Sequence, residues 1–331
     1  MTRRFRSTVT AVLVVLLLPL AQACADQRDD APGSTTSGPF PVTVPHAYGE
    51  AVVKERPTRV VSIGYSEHDA LLALGVRPVA LQQWMEDYDL GVGPWAESLL
   101  GDAKPHVFPI SEAELNMGEI AKLKPDLIVG ISRGVTKTDY EVLSKMAPTL
   151  VRPKGHADYT VPYDVETTMI GRAVGKEAEA KALVAKAEQT FTDAREAHPE
   201  LEGKTAVIGY PLQKGGLGIY ASSEGRGEFM RKLGFTIPKA VDEAAGGKSA
   251  FELSSERLEL VDDVDLLVIL DFGFSPDLYA KNRLYQRLSV VRQGHAVYPL
   301  PHSNAMSFNS VLSIPYCVDK LAVHFVETME R

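Results

Sequence analysis

Short apolar runs alternate with helical patterns in the first part of the chain. Residues 59–64 (RVVSIG) form a β-branched run typical of a strand, and residues 76–81 form the next such run. Between them, Ser66 followed by Asp69 is typical of a helix start, and Gly75 is typical of a helix end. These positions predict a strand, a helix and a second strand in that order.

The same unit recurs further along the chain. Asn116 begins a predicted short helix, and residues 126–131 (DLIVGI) have the composition of a buried strand. Thr138 with Glu141 predicts the start of another helix, which Pro148 ends. Alternating short strands and helices predict a mainly parallel sheet that is covered by helices on both faces.

A second series of elements begins after Gly203. It contains three predicted strands and two predicted helices, which are residues 204–210, 217–221 and 265–270 and residues 226–233 and 311–329. In each series a glutamate, Glu119 or Glu256, begins a short amphipathic helix that leads through an acidic turn into an apolar strand. This shared pattern indicates two similar lobes.

One long helix is predicted between the two series. Within residues 164–199, a capped segment ends at Gly175, and after it apolar side chains recur at helical spacing with charged residues between them and no break before Pro199. About 22 residues at 1.5 Å each give a rod of about 33 Å, which should allow little hinge motion. We therefore predict an α/β protein in which two three-layer lobes with mainly parallel sheets are joined by one long α-helix.

The first residues have the layout of an export signal. Three arginines precede an apolar stretch of about ten residues, which is too short for a membrane span of about 20. Cys24 follows the small residue Ala23 and precedes a polar linker rich in Gly, Ser and Thr, which resembles a bacterial lipobox, although Ala21 stands where that motif prefers leucine. We predict a signal peptide over residues 1–23, lipidation at Cys24 and a flexible linker over residues 24–48; the alternative is an incidental cysteine after an ordinary cleavage site.

Charge and cysteine content exclude some functions. Removal of residues 1–23 takes away three arginines and no acidic residue, so the formal charge falls from −8 to −11, which disfavours nucleic-acid binding. Only Cys317 remains after Cys24, so no intramolecular disulfide framework can form, and Cys317 lies in an apolar helical pattern that predicts a core position.

Five separated segments resemble one known family. They are RVVSIGYSEHDALLALGVRPVA, EIAKLKPDLIVGISRG, YEVLSKMAPTLV, YDVETTMIGRAVGKEAEAKALV and the tail LSVVRQGHAVYPLPHSN with LSIPYCVDKL. Together they are similar to the helical-backbone substrate-binding proteins that take ferric siderophores to ABC importers, a fold shared with haem- and cobalamin-binding proteins. The resemblance implies a ligand cleft between an N-terminal lobe (residues 49–160) and a C-terminal lobe (residues 203–331), with a helical segment (residues 161–202) between them. It also implies a ferric siderophore ligand, delivery to permease subunits without chemical turnover, a lipid-anchored location on the outer face of the cytoplasmic membrane, and, we expect, a monomer.

Aromatic, basic and polar side chains follow the predicted strands, where ligands bind in open α/β sheets. Arginine would supply donors to the oxygens of an anionic siderophore complex, and aromatic rings would supply stacking surfaces. The candidate ligand-binding residues are Tyr65, Trp84, Arg133, Tyr210, Arg226, Phe272, Phe274, His302, Asn304 and Phe308. Arg133 is the first choice and Arg226 the second. The alternative for each arginine is a surface ion pair, and for each aromatic residue a place at the edge of the core.

A serine hydrolase is the enzyme alternative. GISRG formally matches G-x-S-x-G at Ser132, and Asp271 and His302 follow in the order of an α/β-hydrolase triad. A nucleophile elbow passes directly from strand to helix, however, whereas here several residues separate the strand from the predicted helix start at Thr138. No HGGG-type oxyanion loop is present in the sequence either, so we favour binding without catalysis.

Metal and haem sites have less support in the sequence. The eight histidines lack the spacing of a preformed metal site, so we expect no cofactor of the protein's own, and iron would be held by the siderophore. Haem remains an alternative ligand, and its axial ligand would be Tyr65, His68, Tyr210 or His302.

The resemblance also implies that each lobe presents an acidic residue to the permease. Asp139 and Glu141 behind one buried strand, and Asp277 behind another, occupy corresponding places. The alternative is that such acids only favour the first turn of a helix.

Overall fold

Two five-stranded sheets form the frame of the protein. The structure is a computed structural model that describes residues 39–111, 114–212, 216–270, 282–298 and 302–331. Within these ranges, no helix combines the length and the apolar composition that a membrane span requires.

The first sheet is parallel throughout, and its strands run in the order β5-β4-β3-β6-β7. These strands are β3 (Val60–Ser62), β4 (Ala80–Gln82), β5 (His106–Phe108), β6 (Leu127–Gly130) and β7 (Thr149–Val151). The helices between them are α1 (Glu67–Ala73), α2 (Glu97–Leu100), α3 (Met117–Lys122) and α4 (Lys137–Leu143). We call this group of elements the N-terminal lobe.

Alternate strand residues of this lobe pack on opposite faces of the sheet. Val60 and Leu127 belong to one core cluster with α1, while Val61 and Ile128 belong to another with α3 and α4. Since side chains of a strand alternate between faces, apolar residues at consecutive positions require a cover on both sides. The predicted three-layer α/β arrangement is therefore confirmed for this lobe.

The second sheet is mixed, with its strands in the order β10-β9-β8-β11-β12. Its strands are β8 (Ala206–Pro211), β9 (Leu217–Tyr220), β10 (Ala250–Leu253), β11 (Leu266–Ile269) and β12 (Ala296–Val297). The helices are α7 (Gly225–Lys232), α8 (Lys239–Ala245), α9 (Ser289–Arg292), α10 (Ser303–Phe308) and α11 (Ser313–Met329), and we call this group the C-terminal lobe. Short 3₁₀ segments lie at Pro199–Leu201, Ser255–Val261 and Tyr285–Arg287.

The C-terminal sheet departs from the mainly parallel arrangement that the sequence predicts. Strands β8, β11 and β12 are parallel, but β9 pairs antiparallel with both β8 and β10. Residues 212–216 alone connect β8 to β9, and so short a connection permits an antiparallel pair, whereas a parallel pair needs a crossover of a dozen residues or more.

Two helices connect the lobes, α5 (Tyr163–Ala173) and α6 (Glu177–Ala197). Helix α6 has 21 residues and ends before Pro199, as the spacing predicts. Ala180 packs in the core of the N-terminal lobe, whereas Ala187 and Phe191 pack in the core of the C-terminal lobe. Leu183 packs against both cores. The long helix is thus part of the interior of each lobe.

An aspartate lies just before one central strand of each lobe, which supports the pattern shared by the two series. Asp126 accepts hydrogen bonds from the backbone amides of Thr58 and Arg59, at 2.7 and 2.8 Å, just before β6. Asp265 accepts one from the amide of Thr205, at 2.7 Å, just before β11. In each lobe the carboxylate ties the start of one central strand to the start of its neighbour.

Two helix starts differ from those expected. Helix α4 is capped by Thr136, whose hydroxyl oxygen accepts from the amide of Asp139 at 3.1 Å, so the expected cap at Thr138 is wrong by two residues. The spacing of Thr136 and Asp139 fits the same capping pattern. Ser66 precedes α1, but its side chain makes no capping bond and instead lies 3.4 Å from the carboxylate of Glu166.

A β-hairpin precedes the first lobe. Strand β1 (Val42–His46) pairs antiparallel with β2 (Gly49–Val53), and Val44, Ala51 and Val53 pack into the core with α1. Residues 42–46 lie in the stretch that we expected to be linker. The apolar residues that alternate along β1 form one side of a sheet that can be buried only once β2 pairs with β1.

Candidate functional site

Three predicted ligand-binding residues meet at the carboxyl edge of the N-terminal sheet. Tyr65 follows β3, Trp84 follows β4 and Arg133 follows β6, and parallel strands bring these three loops to one edge. The rings of Tyr65 and Trp84 have centroids 5.7 Å apart, and the Arg133 guanidinium lies 5.7 Å from the Tyr65 ring.

The C-terminal lobe contributes Arg226, Tyr220 and Phe308 to the same place. The guanidinium of Arg226, at the start of α7, lies 4.3 Å from the ring of Tyr220 and 5.4 Å from the ring of Trp84. The ring of Phe308, at the end of α10, lies 4.9 Å from that of Trp84. Trp84 therefore contacts both a cation and an aromatic ring of the opposite lobe.

These side chains enclose a cavity of about 370 Å³, which we call the central cavity. Its aromatic walls are formed by Tyr65, Trp84, Tyr159, Tyr163, Tyr220 and Phe308. Its polar lining comes from Ser66, Ser132, Glu166, Glu224, Arg226, Ser249, Ser307 and Asn309. Aromatic walls with a few convergent polar groups are typical of a small-molecule site.

Arg226 is held rigidly in the wall of the central cavity. Its guanidinium donates to the carboxylate of Glu224 and, through Nε at 3.2 Å, to the hydroxyl of Ser307. The amide of Arg226 donates to the same carboxylate at 2.8 Å. Burial raises the pKa of Glu224, and the charge of Arg226 opposes that rise. The arginine is therefore fixed in position before any ligand arrives.

Arg133 lines a neighbouring cavity of about 460 Å³, which we call the side cavity. Its guanidinium donates to the carbonyl oxygen of Ile63 at 3.2 Å and to the amide oxygen of Gln82 at 3.0 Å, and only 6% of the residue is exposed. Tyr65 and Tyr159 line both cavities, with ring centroids 6.3 Å apart. The tyrosine pair thus stands between the two spaces.

Acidic residues are buried beneath the central cavity. Glu67 accepts from the amide of Ile131 at 2.8 Å and from the hydroxyl of Ser132. Burial raises the pKa of Glu67, and burial together with the nearby Glu67 raises that of Glu166. Burial therefore shifts both carboxyl groups towards their neutral form, relative to a carboxyl group in water.

A third buried acid, Asp69, connects the lobes. Its Oδ2 accepts from the indole nitrogen of Trp95 at 2.7 Å and from the hydroxyl of Ser310, which precedes α11. Burial raises the pKa of Asp69 to about 7 and lowers that of the adjacent His68 to about 3. Both residues are fully buried.

The architecture and the chain as a whole match proteins that are already known. A sequence profile described as periplasmic binding protein matches residues 60–302, which is most of the chain. This chain belongs to the periplasmic binding protein family. The probable siderophore-binding lipoprotein YfiY of Bacillus subtilis is 26% identical, over 97% of this chain and 98% of the relative.

Solved structures of periplasmic binding proteins extend the likeness. A periplasmic solute binding protein of Mycobacterium smegmatis is 30% identical with a TM-score of 0.76, over 87% of this chain and 98% of the other. PiaA of Streptococcus pneumoniae, solved with ferrichrome, is 25% identical with a TM-score of 0.75, over 87% of this chain and 99% of the other. The resemblance drawn from the sequence is confirmed, and with it the two-lobed α/β fold; the family consists of substrate-binding proteins rather than enzymes.

Not every candidate residue of this periplasmic binding protein lines the two cavities. Tyr210 packs against the ring of Tyr220 at 5.2 Å, His302 packs against that of Tyr316 at 5.5 Å, and Asn304 hydrogen-bonds to Tyr88. None of Tyr210, His302 and Asn304 is among the described residues that line either cavity. Cys24, Asp271, Phe272, Phe274 and Asp277 lie outside the described residues.

The residues that suggested a hydrolase or a metal site make other contacts in this binding protein. The hydroxyl of Ser132 bonds to Glu67 and accepts from the amides of Tyr65 at 2.9 Å and Ser66 at 3.2 Å, so it braces the loop that carries Arg133. In the ranges that the structure describes, no group of three or more His, Cys, Asp or Glu side chains is placed to hold a metal ion.

Several lining residues were not expected from the sequence. Tyr159 comes from a loop and has a left-handed backbone with φ of 65°, which no strand or helix pattern indicates. Glu224 caps α7 by accepting a hydrogen bond from the amide of Arg226. The predicted start of this helix, residue 226, is one residue too late, and a start at residue 225 would have placed Glu224 at the cap. Tyr220 is the aromatic residue near the end of a predicted strand, so the sequence pattern could have included it among the candidates.

Proposed function

We propose that this periplasmic binding protein captures a ferric siderophore in the central cavity and delivers it to an ABC importer for iron uptake. The observation that carries this proposal is the cavity itself, in which aromatic rings of both lobes surround a buried, preorganised arginine. The names of the relatives support it, since one is a probable siderophore-binding lipoprotein and another was solved with ferrichrome.

The chemistry of the cavity suits such a ligand. A ferric siderophore presents planar chelating groups and an apolar periphery, and aromatic rings such as Trp84, Tyr220 and Phe308 can pack against both. Arg226 can donate to chelating oxygens in a fixed geometry. A volume of about 370 Å³ is within the range of small-molecule sites. Iron would then be held by the siderophore, and the protein would need no cofactor of its own.

Location and delivery follow from the rest of the chain. The signal peptide and lipidated Cys24 would anchor a monomer on the outer face of the cytoplasmic membrane. Asp139 bonds to the hydroxyl of Thr136 at 2.6 Å and lines the side cavity, whereas Glu141 is exposed on α4. Glu141 is therefore the stronger candidate of the two for docking to a permease subunit, with Asp277 in the other lobe.

Native mass spectrometry with ferric siderophores, haem and cobalamin tests the function directly. We expect at least one ferric siderophore to bind and to quench tryptophan fluorescence, which comes from Trp84 and Trp95 alone. Trp84→Phe should lower the quenching more than the matched variant Trp95→Phe, because Trp84 lines the cavity whereas Trp95 packs against the lining residue Phe308.

Three further results bear on the same function. Arg226→Ala should weaken siderophore binding by about 1.5–3 kcal/mol, the range for a hydrogen bond to a charged group, because Arg226 lines the central cavity. Binding of haem or cobalamin with no ferric siderophore bound would replace the proposal. Ester hydrolysis that disappears in Ser132→Ala would contradict binding without turnover.

A further inference from the structure

The charge of Arg226 is compensated inside the wall of the central cavity. The Glu224 carboxylate is in contact with the guanidinium, and only 5% of Arg226 and 7% of Glu224 are exposed. Where water is excluded, opposite charges in contact largely cancel each other's field at a distance. A ligand would therefore meet an arginine that can donate hydrogen bonds but carries little net positive potential.

The other acidic residue that lines the central cavity, Glu166, adds no positive charge. Glu166 is 4% exposed and lies 3.4 Å from the hydroxyl of Ser66. Its carboxyl group is either neutral, as burial favours, or negative. In either state, the summed charge of the described residues that line the central cavity is zero or negative.

The described residues that line the side cavity likewise carry no excess of positive charge. Arg133 lines it together with the acidic residues Glu114 and Asp139. Within the part of the chain that the structure describes, Arg133 and Arg226 are the only lysine or arginine side chains that line the two cavities. The cleft therefore offers donors and aromatic surface without an excess of positive charge.

Given that the ligand is a ferric siderophore, as proposed above, we infer that the cleft selects a complex of no net charge, of the ferric trihydroxamate type, over a highly anionic catecholate or citrate complex. Three hydroxamates balance the charge of the iron and leave oxygens that accept from Arg226. A tris-catecholate complex keeps several negative charges, which would lie against the Glu224 carboxylate, and among the described lining residues the only cation, Arg226, is already paired with that carboxylate. The carboxylate thus acts as a specificity-determining residue.

Isothermal titration calorimetry with three probes tests this assignment: ferrichrome as the neutral trihydroxamate, ferric enterobactin as the tris-catecholate, and ferric citrate. We expect ferrichrome to bind at least about tenfold more tightly than either anionic complex. Glu224→Gln removes the negative charge and keeps an acceptor for Arg226, so it should tighten enterobactin binding by about tenfold and change ferrichrome binding far less. Glu243→Gln, at an exposed position of α8 in the same lobe, is the matched control and should change neither.

The outcomes separate the selectivity from the function. Tighter binding of either anionic complex than of ferrichrome by the unaltered protein would overturn the charge assignment and leave siderophore capture standing. An equal effect of Glu224→Gln on all probes would also overturn it, since the carboxylate would then only shape the wall. Failure of every ferric complex to bind would overturn the proposed function itself. If Glu224→Gln fails to fold, the affinities of the unaltered protein decide the question, and their salt dependence gives a second measure: ferrichrome binding should vary little with ionic strength.

Discussion

Replacement of Asp69 by asparagine should change how the stability of the protein depends on pH. Asp69 is fully buried, and its Oδ2 accepts hydrogen bonds from Trp95 and Ser310. Among the described residues its Oδ1 has no hydrogen-bond partner, and His68 Nε2 lies 3.9 Å from it. An ionised carboxylate is poorly compensated there, and the pKa is accordingly raised from 3.8 to about 7.

The pKa of Asp69 fixes the direction of the effect. In the folded protein this pKa is higher than in the unfolded chain, so folding favours the protonated acid. The contribution to stability is complete below the unfolded value of 3.8 and is lost as the pH rises through about 7. At 1.36 kcal/mol for each tenfold change in the proton equilibrium, the full loss is about 4 kcal/mol.

Asparagine cannot ionise, so Asp69→Asn should escape this loss. Its amide oxygen can still accept from Trp95, and its NH₂ group can point towards the neutral ring of His68. Relative to the unaltered protein, the free energy of unfolding of Asp69→Asn should rise by about 3 kcal/mol between about pH 4.5 and about pH 8. Urea unfolding followed by circular dichroism at several pH values measures this difference.

Asp319→Asn is the matched control, because Asp319 is exposed on α11. The free energy of unfolding of Asp319→Asn should equal that of the unaltered protein at every pH. A difference between Asp69→Asn and the unaltered protein that stays constant with pH would refute the reasoning, since it would mean that Asp69 is not protonated on folding.

Three further predictions concern the cavity, the anchor and the importer. Phe308→Ala should lower stability by about 3–5 kcal/mol and weaken ligand binding, since the 3% exposed ring packs on Trp84; a thermal melt equal to that of the unaltered protein would contradict this. Cys24→Ser should abolish labelling by palmitate analogues and either release the chain or leave it unprocessed, and unchanged labelling would exclude lipidation. Glu141→Lys with Asp277→Lys should leave ligand affinity intact but slow uptake in cells, as charges at an interface rim mainly set association rates; normal uptake would exclude these residues as the docking pair.

The elements of the N-terminal lobe could be predicted because their signals are local. Residues 127–131 are a continuous apolar run, and Asn116 does cap α3 through a bond from the amide of Glu119 at 3.1 Å. Tyr65 and Trp84 could be placed at the site because the carboxyl ends of parallel strands share one edge. Local pattern and topology were sufficient for Tyr65 and Trp84, but not for Tyr159, which comes from a loop.

The acidic residues of the site could not be predicted in the same way. Asp69 has the spacing of a capping-box residue, and Glu224 has that of an acid before a helix, both of which are normally exposed. Only the tertiary structure shows that Trp95 and Ser310 surround the first and that Arg226 neutralises the second. The antiparallel pairing of β9 was missed for a related reason, because strand direction depends on which strand becomes the neighbour.

The position of Leu183 has a consequence for how the protein unfolds. This side chain lies in the middle of α6 and packs against the cores of both lobes, with Ala180 buried on one side and Ala187 on the other. Neither lobe can therefore lose its packing without exposing apolar surface on the helix that the other lobe needs. We therefore expect the two lobes to unfold as one cooperative unit, because a fragment that contains either lobe alone would carry an uncovered helix face.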